Sequence, residues 1–288
     1  MCGRFSQEAE LSEIKLELKV EQLELFREFR PAYNIAPSYG GGFEQAFVVQ
    51  TRDGKRALRQ GRWWMIPHFW SKPLKQLPAA FNARAEELAQ KSFWRNAFRQ
   101  YRCLVPATGW REFKPEGKLK QPYQFRLERR LFAFAGLWSR WTSPDGELIE
   151  SFAVVTTAPN EQAAAFHDRM PLVLPPELYG AWLDPVADAE QVLLDAQGRS
   201  RSRPLDIYAT NPLGNNVHFE GPEVVERFDV AAARVALAAR APGAKEPVRG
   251  RPRKSAGAAA AAERPLSAQQ ELFAGSSRQA APARKTGR

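Results

Sequence analysis

The middle of this 288-residue chain reads as a succession of short strands, and this succession constrains the fold more than any other feature. Apolar runs or alternating apolar and polar residues, each ended by turn-forming residues, are typical of strands. Strands are therefore predicted at about residues 101–106, 107–114, 122–128, 132–138 and 149–157. Cys103, inside the first of them, is most simply interpreted as a core residue.

The second predicted strand carries an acidic residue in an unusual setting. Its alternation puts Trp110, Glu112 and Lys114 on one face. An aromatic neighbour raises the pKa of a carboxylic acid towards values useful for general acid catalysis. The alternative interpretation is a half-exposed Glu112 that pairs with Lys114.

The flanks of this central region mix helices with further strands. One or two helices are predicted over residues 7–28, and further helices from a loop at residue 82 to about 99, over 177–184 and over 186–195. Strands are predicted at 45–50, 56–64 and 204–210. Asn82 stands where that loop enters a helix, so the simplest interpretation makes it an N-cap.

Composition excludes several classes of protein. The chain is 44% hydrophobic, sufficient for one large domain or two small ones. It has no apolar run of about 18 residues and no N-terminal signal pattern, which predicts a cytoplasmic, nucleoid-associated protein without membrane contact. Three histidines and two cysteines without ligand spacing predict neither a metal site nor a cofactor.

The net charge of +10 favours a polyanionic partner, and most of this charge lies near the C-terminus. Residues 241–288 hold ten Lys and Arg against three Asp and Glu, which leaves only +3 for the first 240 residues. The ordered domain is predicted over 1–238, followed by a disordered Ala-, Pro- and Arg-rich tail over 239–288.

The N-terminus begins Met1-Cys2-Gly3-Arg4-Phe5. The small side chain of Cys2 permits removal of Met1, which would leave Cys2 with both a free α-amine and a thiol. The ordinary pKa values of these groups are about 8 and about 8.5. Such a pair condenses with an aldehyde through nitrogen and closes through sulfur to a thiazolidine ring. Cys2 is therefore a candidate nucleophile, and the alternative is a residue without function.

Two further segments suggest a nucleic-acid site. Residues 61–73 place three Trp and one Phe next to Arg62 and Lys72, and rings beside cations can stack bases and follow a single-stranded backbone. The alternative is core packing, and we expect Trp63 or Trp64 in the core with Phe69 and Trp70 on the loop surface. His167, beside Asp168 and Arg169, lies at a loop mouth, although a histidine there is more often structural.

Five motifs together resemble the SOS-response-associated peptidase (SRAP) family in order and spacing. They cover about residues 2–220 and are Cys2 to Phe5, Tyr33 to Pro37, Asn82 to Arg84, Cys103 to Glu112, and His167 to Pro171. Trp64, Thr108 and Arg111 depart from the family pattern, since Gly, Asp and an aromatic residue are usual there.

The resemblance implies an α+β fold with a strongly curved, barrel-like sheet of mixed or antiparallel strands and flanking helices. It also implies a sensor that crosslinks covalently to abasic sites in single-stranded DNA. Cys2 would be the nucleophile, Asn82 would position it, Glu112 would be the acid and His167 would transfer protons. The DNA contacts implied by the resemblance are Arg4, Asn34, Phe69, Trp70, Lys72, Arg84 and Arg169.

Two alternatives to crosslinking stay open. The first is a thiol peptidase or autopeptidase that uses Cys2 with Glu112 and His167. The second is a non-catalytic DNA-binding protein that acts through its tail. Within the tail, residues 249–254 resemble an AT-hook, whose Arg249 and Arg251 would enter the minor groove of duplex DNA, although a solubilising basic tail explains them equally well. We expect a monomer.

Overall fold

The computed structural model describes residues 2–23, 28–37, 45–116 and 119–233. All of these residues fall within one compact unit of the chain, Met1–Ala239. The predicted tail, with Arg249 and Arg251 of the AT-hook-like segment, lies outside the described residues. Its disorder and its boundary therefore stay predictions.

Strands dominate the described residues, and the strands predicted between residues 101 and 157 all form. In chain order the strands are β1 (Phe5–Gln7), β2 (Gln22–Leu23), β3 (Ala32–Ile35), β4 (Gln45–Arg52), β5 (Lys55–Trp63), β6 (Asn82–Arg84), β7 (Arg102–Ala107), β8 (Gly109–Glu116), β9 (Leu119–Arg126), β10 (Phe132–Thr142), β11 (Leu148–Thr157), β12 (Met170–Pro171), β13 (Val173–Leu174) and β14 (Asp206–Ala209). The α-helices are α1 (Leu11–Leu18), α2 (Ser92–Gln100), α3 (Glu161–Ala164), α4 (Tyr179–Leu183) and α5 (Ala189–Arg201). Short 3-10 turns lie at Leu74–Gln76, Ala85–Glu87, Pro176–Leu178, Pro212–Asn215 and Pro222–Val224.

Five strands close into a barrel in the order β11, β10, β7, β4 and β5. Four neighbouring pairs are antiparallel, and a short parallel pairing of β11 with β5 completes the ring by setting Ser151 opposite Arg62. The β4–β5 hairpin turns through Asp53 and Gly54, both with positive φ, and such two-residue turns match the twist of the strands. The predicted α+β fold with a barrel-like sheet is confirmed.

Alternating residues of the barrel strands fill two apolar clusters. The interior cluster contains large, fully buried side chains such as Trp63, Phe134 and Phe152. The outer cluster joins the other strand face to α1, α2, α4 and α5, with Phe98 and Trp182 among its buried members. Burying each such side chain stabilises the fold by about 1.5–3 kcal/mol. The helices therefore cover the outside of the barrel.

A second sheet, in the order β14, β9, β8, β1 and β3, packs against the interior cluster. Its inner face contributes Phe5, Trp110 and Phe125 to that cluster. The indole ring of Trp110 and the phenyl ring of Phe125 stack, with their centroids 5.1 Å apart. This sheet carries the N-terminal strand β1 across the barrel and thereby fixes the position of the first residues of the chain.

Two secondary-structure predictions are wrong. The extent of the one or two helices predicted over 7–28 is wrong: within the described residues of that range only α1 is helical. Lys19 adopts a left-handed conformation that ends α1, and the chain then pairs as β2 with β5. Asn82 does not cap a helix: it begins β6, which pairs in parallel with β11, and α2 starts only at Ser92. No helix of the described ranges combines the length and apolar character needed to cross a membrane.

Candidate active site

Cys2 is completely buried at the end of an extension of β1. β1 runs antiparallel to β8, and the Arg4 carbonyl accepts a hydrogen bond from the Arg111 N–H at 3.0 Å. The same carbonyl lies 3.6 Å from the Cys2 Sγ and accepts from the thiol. Burial, and then the charge of Glu112, raise the pKa of the thiol, so sulfur is held as S–H.

Asn82 contacts Cys2 directly. β6 sets Asn82 opposite Val154 of β11, and the Asn82 Nδ2 donates to the Cys2 carbonyl oxygen at 2.7 Å. The preceding residue is anchored as well, because the indole N–H of Trp63 donates to the Phe81 carbonyl at 2.7 Å. The barrel therefore holds the backbone of Cys2 through Asn82.

Glu112 is the buried acid of the site. Its side chain is only 5% exposed, and Oε1 has no hydrogen-bond partner among the described residues. Burial raises its pKa from about 4.5 to about 7, and the negative charge of Asp168 acts in the same direction. The alternative pairing with Lys114 is not observed, since the Lys114 Nζ lies 4.1 Å from the centre of the Phe166 ring. The raised pKa expected beside Trp110 is present.

His167 lies in the loop between α3 and β12. Its Nδ1 is 2.6 Å from Asp168 Oδ1 and 3.0 Å from the Arg169 N–H. One ring nitrogen cannot serve both neighbours in one tautomer: a protonated Nδ1 donates to Asp168, whereas an unprotonated one accepts from the amide. Burial lowers the pKa of His167, while the carboxylate of Asp168 opposes this effect.

Electrostatic effects join the four predicted catalytic residues into one site. Asn82 touches Cys2, Glu112 raises the pKa of the Cys2 thiol, and Asp168 acts on both Glu112 and His167. Charges shift one another's pKa values in this way only at short range inside a protein. The site therefore combines a thiol, a carboxylic acid with a pKa near 7 and an imidazole.

Three of the predicted DNA contacts are engaged inside the protein. The Arg4 guanidinium donates to Asn34 Oδ1 at 2.8 Å, and both side chains are buried. Arg169 is mostly buried and donates to both carboxylate oxygens of Glu86, at 3.0 and 2.8 Å, and to the Thr156 carbonyl at 2.6 Å. These contacts hold the loop of His167 against β11 and the turn after β6.

The other predicted DNA contacts lie at or near the surface. Phe69 is 51% exposed, and Lys72 and Arg84 are exposed as well. Trp70 is half-buried, and its carbonyl accepts a hydrogen bond from the Trp141 indole at 2.7 Å. Trp63 is fully buried, as expected for the core partner of this cluster. DNA binding by these residues stays a prediction.

Three residues of the site carried no functional prediction. Asp168 was noted only as a charged neighbour of His167. Thr156 is fully buried in β11, where it pairs with Arg84 of β6 on one side and Pro171 of β12 on the other. Its hydroxyl has no partner among the described residues. Arg111 was noted only as a departure from the family pattern. The one available sequence signal was position, since each lies within two residues of a motif or at the end of a strand.

Comparisons with known proteins identify the family. The family described as SOS response associated peptidase (SRAP) matches residues 1–217. The abasic site processing protein YoqW of Bacillus subtilis is 33% identical over 229 residues, which cover 78% of this chain and 99% of that protein. The abasic site processing protein YedK of Escherichia coli is 28% identical over 232 residues, with the same two coverages.

Solved structures support the same fold. A crystal structure of a protein from Bacteroides thetaiotaomicron matches with a TM-score of 0.66 at 23% identity, covering 79% of this chain and 100% of that one. A crystal structure of a protein from Bordetella bronchiseptica matches with a TM-score of 0.58 at 23% identity, covering 73% and 100%. The family match spans the barrel, the second sheet and the whole site around Cys2, and this chain belongs to the SOS response associated peptidase family.

Proposed function

We propose that this protein processes abasic sites in single-stranded DNA by forming a covalent crosslink through Cys2. One observation carries the proposal: the Cys2 backbone is held by Asn82 in a buried position beside a carboxylic acid with a pKa near 7. The relatives YoqW and YedK are both named abasic site processing proteins, which supports the same substrate.

The reaction starts at the α-amine of Cys2 after hydrolysis of the Met1–Cys2 peptide bond. An abasic sugar is mostly a closed hemiacetal, and an acid must help it open to the aldehyde. The amine nitrogen then bonds to the aldehyde carbon and gives a carbinolamine. Protonated Glu112 supplies the proton with which the hydroxyl group leaves as water, and an imine forms.

The thiol completes the reaction. Sulfur bonds to the imine carbon, the C=N bond becomes a C–N bond, and the thiol proton ends on nitrogen. The product is a thiazolidine ring, and the whole sequence releases one water per aldehyde. Because burial keeps the sulfur protonated, Glu112 as carboxylate or neutral His167 is the group that accepts the thiol proton and returns it.

The peptidase alternative has less support from the same geometry. A thiol peptidase attacks with a thiolate, which requires a lowered thiol pKa. Burial and Glu112 instead raise the pKa of the Cys2 thiol, an environment that suits an uncharged aminothiol. The tail-driven DNA-binding alternative depends on residues outside the described ranges. It predicts no covalent adduct through Cys2, which the intact-mass measurement described below tests.

The proposed partner is single-stranded DNA with an aldehyde-bearing abasic site. Phe69 offers an exposed ring on which a base can stack, and Lys72 and Arg84 offer exposed cations for phosphates. Arg4, Asn34 and Arg169 would then support the site from inside the protein, and their direct contact with DNA would require them to leave their present partners.

Intact-mass measurement tests the proposal. The protein is incubated with a single-stranded oligonucleotide that contains one abasic site, without reductant. We expect a protein that lacks Met1 and gains the oligonucleotide mass minus one water. Cys2→Ala should form no adduct, while Cys103→Ala, which alters the other buried cysteine, should retain it. A folded wild-type protein that keeps Met1 and forms no adduct would contradict the proposal.

A further inference from the structure

Two arginines are buried together on the face of β1 and β8 that points away from Glu112. Arg4 and Arg111 are 8% and 1% exposed. Both donate to the same atom, Asn34 Oδ1, at 2.8 and 2.6 Å. We call Arg4, Asn34 and Arg111 the arginine clasp. The clasp ties three neighbouring strands together directly behind the site.

The clasp also fastens the segment that follows β14. Arg4 donates to the Gly214 carbonyl and Arg111 to the Val224 carbonyl, both at 2.8 Å. The Asn34 side-chain amide donates to two more carbonyls of this segment, and the carboxylate of Glu220 accepts from the Asn34 main-chain N–H at 3.0 Å. Residues 212–224 are thereby held across the back of β1, β3 and β8.

Arg111 contacts Arg4 in two independent ways. Its side chain meets that of Arg4 through Asn34, and its main-chain N–H donates to the Arg4 carbonyl at 3.0 Å. That carbonyl is also the acceptor for the Cys2 thiol. The side chains of Arg4 and Arg111 therefore brace, through Asn34, the main-chain pairing that places the acceptor of the Cys2 thiol.

The cost of burying Arg111 argues that it does more than stabilise the fold. The hydrogen-bond acceptors of its guanidinium are neutral oxygens of Tyr33, Asn34 and Val224. Burial, together with the charge of Arg4, lowers the pKa of Arg111 to about 10, although the carboxylates of Glu220 and Glu8 oppose this effect. A buried cation bonded only to neutral groups costs desolvation free energy that an apolar side chain would not.

We propose that Arg111 is a positioning residue for Cys2. Through Asn34 its side chain fixes β8 against the residues that lead into β1, so that the paired Arg4 carbonyl directs the thiol at the imine carbon. This inference rests on the proposed crosslinking reaction. It concerns the second chemical step, in which the S–C bond forms and the thiol proton passes to nitrogen. Formation of the imine from the α-amine should depend much less on Arg111.

The test compares Arg111→Met and Arg111→Lys with the matched control Arg102→Met. Arg102 is also buried and donates only to carbonyl oxygens, including that of Trp182 at 2.6 Å, but lies on the outer side of the barrel. Single-turnover reactions with an abasic single-stranded oligonucleotide are stopped with or without borohydride. Borohydride traps the imine, whereas the thiazolidine is stable without it.

We expect Arg111→Met to form the stable adduct at least tenfold more slowly. The rate of imine formation should stay within twofold of wild type, so that the borohydride-trapped imine accumulates relative to the thiazolidine. Arg111→Lys, which keeps the charge, should recover part of the rate. Arg102→Met should lower the melting temperature and leave both products unchanged. An unchanged product ratio in Arg111→Met, or the same change in Arg102→Met, would overturn the proposal.

Hydrogen exchange separates this proposal from the proposed function. Faster exchange of the amides of residues 3–7 in Arg111→Met than in Arg102→Met is expected whether or not the protein reacts with DNA. Equal exchange in the two variants contradicts the positioning role. A wild-type protein that forms neither imine nor stable adduct contradicts the crosslinking function instead.

Discussion

The side-chain amide of Asn82 donates to the main-chain carbonyl of Cys2 at 2.7 Å, although the two residues are 80 positions apart in the sequence. This bond ties Cys2 to β6, which pairs with the barrel strand β11. It acts on the backbone of the nucleophile and leaves its amine and thiol available for chemistry. The geometry leads to a direct prediction.

Asn82→Ala should slow crosslinking about 10- to 100-fold, because a small misplacement of a reacting group costs rate steeply. The loss of one hydrogen bond should cost only about 1 kcal/mol of stability. Gln7→Ala is the control, since Gln7 is a buried amide of β1 that donates to the carbonyls of Phe47 and Pro106. Single-turnover rates and urea unfolding are the measurements. A rate loss in Gln7→Ala equal to that in Asn82→Ala would contradict the prediction.

Glu112 should make the protein less stable as the pH rises. Its pKa in the folded protein, about 7, lies above the ordinary value of 4.5, so the folded state binds the proton more tightly. The stability is greatest below about pH 4.5 and falls as the pH rises through about 7, by up to about 3 kcal/mol. Glu112→Gln should remove this loss, which urea unfolding at pH 5 and pH 8 can measure. Equal pH dependence in both proteins would show that Glu112 is not the group responsible.

The same titration should appear in the reaction rate. Wild-type imine formation should pass through a maximum, rising as the α-amine loses its proton and falling at higher pH because the acid form of Glu112, with a pKa of about 7, disappears. Glu112→Gln should be slow throughout and lack the fall on the alkaline side. The rate of borohydride-trapped adduct between pH 5.5 and pH 8.5 gives the profile.

Asp168→Asn should lower the pKa values of both His167 and Glu112. The Asp168 carboxylate raises the pKa of both His167 and Glu112, so its removal should lower both values. Histidine ring signals in an NMR titration report the first effect, with His167→Asn used for assignment. Asp206→Asn, which alters a carboxylate paired with Arg227, should leave the His167 titration unchanged.

A pair of glycine substitutions should change stability in opposite directions. A Cβ at Gly136 would lie 2.7 Å from the Cys103 Sγ and 2.8 Å from a methyl group of Val105, so Gly136→Ala should destabilise the barrel by about 1–3 kcal/mol. Gly198 lies inside α5 with open space at its Cβ, and Gly198→Ala should stabilise by about 0.5–1 kcal/mol. Thermal unfolding of both variants is the check, and effects of the same sign would contradict the packing described for the barrel.

Sequence patterns predicted the long strands well, because each is specified by its own apolar residues. The strands predicted at 45–50 and 149–157 correspond to β4 and β11 within a few residues. The three-residue strand β6 could not be predicted in this way, since it exists only through its pairing with β11. Local patterns give no sign of such a distant partner, and Asn82 therefore looked like a helix cap.

The residues of the candidate site likewise differ in how far the sequence could predict their roles. Cys2, Glu112 and His167 could be proposed because their chemistry is visible in the residue types and in the family motifs. The internal roles of Arg4, Asn34 and Arg169 could not, because a basic or amide side chain is compatible with a DNA contact until its buried partners are known. The arginine clasp in particular joins residues from four distant parts of the chain.

The complete burial of Cys2 sets an order of events in the cell. The residues that enclose it, from Asn82 to Phe134 and beyond, leave the ribosome well after it does. A nascent chain therefore presents Cys2 without its enclosing residues for as long as those residues are still being synthesised. Removal of Met1 during this interval would let the barrel close around a Cys2 whose α-amine is already free.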